Sequence, residues 1–102
     1  MPLLICPHVD GATITLGLAG EVDMATEPAL WDAIEKAVTA DGVGLVVIDL
    51  AETTFMDCCG MSALIRGARL ATDHGRRLRA INPTGMTLIV LHLTGVLGFL
   101  AD

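Results

Sequence analysis

Two stretches of this chain place reactive side chains together. TTFMDCCGMSALI, residues 53–65, breaks off an apolar run, sets the carboxylate of Asp57 beside the adjacent thiols of Cys58 and Cys59, and resumes with helical spacing. GEVDMAT, residues 20–26, carries a second carboxylate, Asp23. Two thiols and two carboxylates could support nucleophilic catalysis, acid/base chemistry, metal ligation or redox exchange. Most of these fail on spacing. A thiol enzyme needs a Cys-x-x-Cys pair or an assignable Cys-His partner, and neither is present. A hydrolase needs a nucleophile, an oxyanion site and a pocket beside its carboxylates, and no signature of those is evident. Zinc ligation is poorly supported, because Cys58 and Cys59 are adjacent and His8, His74 and His92 show no paired spacing. No Gly-rich phosphate loop appears, so no nucleotide or other cofactor is assigned.

The elements that must position these residues follow from hydrophobic period. LLICPHV and ATITLGLAG read as two strands joined at Asp10-Gly11, with Ala12, Ile14, Leu16 and Leu18 alternating with Thr13, Thr15 and Gly17 to bury one face. The period then changes. Thr26 can cap a helix whose first turn holds Glu27 and Pro28, whose apolar stripe is Leu30, Ile34 and Val38, and which Gly42 can terminate. GLVVIDL is a continuous branched apolar run, the pattern of a central strand covered on both faces. Residues 53–60 read as a loop, with Asp57 capping a second helix marked by Met61, Leu64, Ile65 and Ala68 and closed by Gly75. RRLRAIN is a further strand, PTGMTLIVLHLTG a third helix from about Thr84 to Thr94, and VLGFLAD a short strand or a cover for the core. The order β-β-α-β-α-β-α implies an α/β fold: a small open mixed β-sheet with helices packed against it. Cys6, within a strand, is expected in the core.

The 102 residues set a scale of one domain spanning 1–102. With 53% hydrophobic, 3% aromatic and 18% charged residues, small aliphatic side chains must fill the core. No apolar stretch reaches the ~18 residues of a membrane span, and the N-terminus carries no positive charge before its short apolar run, so a soluble, cytoplasmic protein is expected. A net charge of −6 disfavours nucleic acid. The acids concentrate in residues 10–57 with Lys36 alone to balance them, whereas Arg66, Arg69, Arg76, Arg77 and Arg79 follow in a short segment. Such asymmetry can steer a charged protein partner.

The combination LAGEVDMAT…LVVIDLAETTFMDCCGMSALI resembles the STAS domain, specifically the bacterial anti-sigma factor antagonist family. The Gly-Glu-Val-Asp turn, the Val-Val-Ile-Asp-Leu strand and the Phe-Met-Asp-x-x-Gly junction carry the resemblance, which extends over essentially the whole chain. It implies a non-enzymatic module that binds an ATP-dependent anti-sigma kinase and frees its sigma factor, with no membrane partner and a monomeric or weakly dimeric state. The segments 20–27 and 52–66 would form the binding surface, with Glu21, Asp23, Met24, Thr26, Met56, Asp57, Cys58, Cys59, Gly60, Ser62 and Arg66 as its residues. In similar proteins the kinase switches the antagonist off by phosphorylating a Ser or Thr directly after the junction Asp. Here that position is Cys58, so the usual switch is expected to be absent; Thr53, Thr54 and Ser62 are the other nearby hydroxyls.

Two readings of the thiols stay open: small fillers, or oxidation-sensitive groups at a helix N-terminus whose dipole favours the thiolate while Asp57 opposes it. Two functions stay open as well, an antagonist-like module and a STAS accessory subunit of a transporter or sensory complex.

Overall fold

The computed structural model describes residues 3–83, in which four strands and two helices alternate as β1 (Leu4–Asp10), β2 (Thr13–Val22), α1 (Glu27–Thr39), β3 (Leu45–Met56), α2 (Cys58–Asp73) and β4 (Arg77–Ile81). The expected third helix, Thr84–Thr94, and the last short segment lie outside the described residues. The sheet order is β1-β2-β3-β4, with β1 antiparallel to β2 and the other two pairings parallel. This is the open mixed sheet the sequence implied. β1 and β2 form a hairpin in which Asp10 pairs with Thr13, so the two-residue turn is Gly11-Ala12, one position later than expected. Gly11 takes a φ of +60°, which a side-chain-bearing residue adopts only with strain.

Two parallel connections in the same direction, β2-α1-β3 and β3-α2-β4, put both helices on one face when each crossover has the usual right hand. The core confirms the placement: Ile14, Leu16, Leu18 and Val22 of β2 join Val46, Ile48 and Leu50 of β3 and Leu78 and Ala80 of β4 under Leu30, Ile34, Val38, Leu64, Ala68 and Ala71. The alternation begins at Ile14, because Ala12 sits exposed in the turn. β3 is central, as its apolar run required, and Val47 is buried on the face away from that cluster. Cys6 is exposed, contrary to expectation. It pairs with Gly17 on an edge strand and points away from the helices, so strand membership alone does not bury it.

The two helices end differently. At α2 the expected glycine cap forms: Gly75 has φ +70°, its N–H donates to Thr72 O at 3.0 Å, and the Arg76 N–H reaches back to Ala71 O at 2.8 Å, which satisfies the last carbonyls. At α1 the helix stops at Thr39, before Gly42. There the Arg76 guanidinium donates to Val38 O and, at 2.7 Å, to Ala40 O, so a side chain 36 residues away in sequence closes the helix.

Candidate functional site

The carboxyl ends of adjacent parallel strands lie side by side, and the chain leaves each directly into a helix. The two notable stretches therefore come together at the ends of β2 and β3, the position where open α/β sheets commonly carry function. Both strands run further than the sequence suggested. β2 continues to Val22, which leaves only residues 23–26 as loop, and β3 continues through Thr53, Thr54, Phe55 and Met56, which leaves Asp57 as the sole connecting residue.

Two bulges in β3 explain the difference. The register passes from Gly17↔Asp49 to Ala19↔Glu52, and from Gly20↔Thr53 to Glu21↔Phe55, so β3 spends an extra residue each time. Buried positions then fall at Leu50, Thr53 and Met56, a spacing of three that conceals the strand period. The irregularity is satisfied locally: the Ala51 N–H donates to Asp49 Oδ1 at 3.0 Å and the buried Thr53 hydroxyl donates to Leu18 O at 3.3 Å.

Asp57 caps α2. Its Oδ1 accepts from the Cys59 N–H at 2.9 Å and the Gly60 N–H at 3.2 Å, two of the donors that a helix start leaves open, and its own N–H donates to Val22 O at 3.1 Å. Asp23 holds the other loop, its Oδ1 accepting from the Ala25 and Thr26 N–H groups at 3.0 and 3.1 Å. Thr26 flanks α1 without capping it. Its backbone is already helical at φ −102°, ψ −13°, and its hydroxyl donates to Glu21 O at 2.9 Å and accepts from the Asp23 N–H at 3.0 Å, which folds the loop upon itself.

A shallow depression between the helix starts is lined by Glu27, Cys58, Cys59, Ser62 and Arg66. Cys58 is exposed and Cys59 half-buried, and the thiols of both are free. Partial burial pushes the Cys59 thiol above its ordinary pKa, and the carboxylates of Asp57, Glu27 and Asp23 push in the same direction by penalising a second negative charge. Arg66 forms an ion pair with Glu27 and lies 4.6 Å from the centre of the Trp31 ring. Met24 is 77% exposed and Phe55 41% exposed, two large apolar side chains standing at the same end of the sheet.

Residues 8–101 match the family model described as "Mlab, STAS domain". The chain belongs to the STAS family. Among solved structures similar to this STAS domain are the unphosphorylated anti-sigma factor antagonist SpoIIAA, 21% identical over 96% of this chain and 84% of that one, with a TM-score of 0.80. An anti-sigma factor antagonist from Mycobacterium paratuberculosis is 32% identical over 92% of this chain and 79% of that one, with a TM-score of 0.75. Mglu is 24% identical over 76% of this chain but only 19% of its own, with a TM-score of 0.67. The SpoIIAA and Mglu likenesses show the fold alone. A comparison with curated proteins finds no match.

The residues singled out in the sequence divide by depth. Met24, Cys58, Ser62 and Arg66 are exposed, and Glu21, Asp23, Thr26, Asp57 and Cys59 are half-exposed around them. Met56, 1% exposed, and Gly60 are buried beneath this surface and support it; Met61 is likewise in the core. Phe55 and Trp31 add to the surface without having been selected from sequence. Phe55 was concealed by the bulges, and Trp31 by its place off the Leu30/Ile34/Val38 stripe. Among the described residues no group of three or more His, Cys, Asp and Glu side chains could hold a metal, and no helix is long and apolar enough to cross a membrane.

Proposed function

We propose that this STAS domain is an anti-sigma factor antagonist-like binding module that docks on an ATP-dependent anti-sigma kinase and thereby frees a sigma factor, without the usual phosphorylation switch and without catalysis of its own. One observation carries the reading: at the ends of β2 and β3 exposed Phe55 pairs with Glu21, the loop that follows β2 carries exposed Met24 between the carboxylates of Asp23 and Glu27, and the Cys58 thiol stands exposed at the first position of α2. Apolar anchors within an acidic surround favour a partner whose complementary patch is basic. A kinase transfers phosphate to a hydroxyl positioned by a general base, and the softer, larger thiol does not meet that requirement. The module works in the cytoplasm as a monomer or weak dimer, and the pair it would address is an anti-sigma kinase and its sigma factor.

Capture from the native lysate tests the proposal, with wild type, Met24→Asp and Phe55→Ser as baits. Wild type should retain an anti-sigma kinase, and both variants should lose it while keeping their thermal stability. A second reading, an accessory subunit of a transporter or sensory complex, is favoured by the same thiol, since such a subunit has no need of an acceptor hydroxyl. Retention of a transporter ATPase in place of a kinase would establish it.

A further inference from the structure

On α2, Cys59, Ser62 and Arg66 recur at intervals of three and four and form one helix face, yet this face is polar where it meets the start of α1. Arg66 makes two contacts across that boundary, the ion pair with Glu27 and the approach to the Trp31 ring. Glu27 is the first residue of α1 and follows directly on the loop 23–26, while Trp31 lies one turn further along. We propose that Arg66 is a positioning residue: a latch that holds the loop 23–26 and the first turn of α1 against the start of α2, so that the two halves of the docking surface face a partner as one rigid unit. The inference rests on the binding-surface reading above and assigns Arg66 a role through its neighbours in place of direct contact.

The physics suits a latch. Asp23, Ala25, Thr26 and Glu27 are linked by hydrogen bonds that run within the loop and its junction with α1. The Arg66 guanidinium reaches this segment from α2, using its charge for Glu27 and its flat face for Trp31, a combination that a lysine ammonium reproduces only in part. The side chains of the pair are partly exposed, 45% for Arg66 and 21% for Glu27, so added salt should weaken it.

Amide hydrogen exchange on the free protein tests the latch, with Trp31, the chain's one tryptophan, as an independent fluorescent reporter. Arg66→Gln should speed exchange at Ala25, Thr26, Glu27 and Leu30 by about fivefold, the scale of a lost surface ion pair with a cation–π contact. Amides of Val46 to Ile48 in β3 should not change. High salt should speed the same loop amides in wild type but not in Arg66→Gln, Arg66→Lys should give an intermediate rate, and Trp31 emission should shift in step. Loop exchange that is unchanged in Arg66→Gln, or raised equally in β3, would overturn the latch. Because no partner is needed, a failure of the docking reading leaves this result standing, and an unchanged loop overturns the latch whatever docks.

Discussion

Replacing Gly60 by Ala probes the packing that seats α2 upon the strand ends. A Cβ built there would lie 2.6 Å from Val22 Cγ1, 2.8 Å from Met56 Cγ and 3.2 Å from Val22 Cβ. Both neighbours are sealed in the core, and a β-branched valine has little rotameric freedom with which to yield. Overpacking of this kind costs about 1–3 kcal/mol, whereas alanine's advantage over glycine in a helix recovers about 1 kcal/mol at most and less in a first turn. The net loss is about 1–2 kcal/mol, a fall in melting temperature of about 5–15 °C for a domain of this size. Thermal unfolding followed by circular dichroism measures it, with Gly44→Ala as the control, since nothing lies within 4 Å of a Cβ at that position. A Gly60→Ala protein as stable as wild type, or more stable as helix propensity alone predicts, would refute the claim that α2 begins in direct contact with Val22 and Met56.

Other perturbations address the site's electrostatics and caps. Asp57→Ala should cost about 1–2 kcal/mol in denaturant unfolding because two helix-start amides lose their acceptor, while Asp57→Asn, which keeps an oxygen in place, should cost less. Arg76→Ala should destabilise by about 1–3 kcal/mol by leaving Val38 O and Ala40 O without their charged donor, and the loss should appear as faster amide exchange in the last turn of α1. In a protein with Cys6→Ala and Cys58→Ser, alkylation of Cys59 should follow thiolate formation with a midpoint above the ordinary cysteine range. Asp57→Asn or Glu27→Gln should move that midpoint down, since each removes a negative charge that disfavours the thiolate. A midpoint at or below the ordinary range would contradict the geometry.

Where a residue's role is local, the sequence was a good guide. Alternation from Ile14 to Leu18, the Leu30/Ile34/Val38 stripe, the run 45–50 and the Asp57 and Gly75 caps all act over a few residues, and each stands where its period or chemistry placed it. The misreadings share a cause in long-range contact. The continuation of β3 to Met56 depends on bulges defined against β2, the termination of α1 depends on Arg76, and the exposure of Cys6 depends on its strand lying at the sheet's edge. Thr26 misled because a threonine before a helix can serve either the helix amides or its own loop, and that choice is settled by Glu21 O and the Asp23 N–H, which the turn brings within reach. Within the site, Asp57 was legible as a helix-capping group. The clustering of Glu27, Trp31 and Arg66 was not, because its three members come from two helices whose crossing no local pattern encodes.

If the surface at the ends of β2 and β3 serves an anti-sigma kinase, as proposed above, then Cys58 places a thiol where phosphorylation would otherwise release the partner. Intact-mass measurement after incubation with the captured kinase and ATP tests it most directly, comparing wild type with Cys58→Ser and following the complex alongside. Wild type should take up no phosphate and stay bound, whereas Cys58→Ser should take up one phosphate and be released. Stoichiometric phosphate on wild type, at Thr53, Thr54, Ser62 or any other residue, would contradict it.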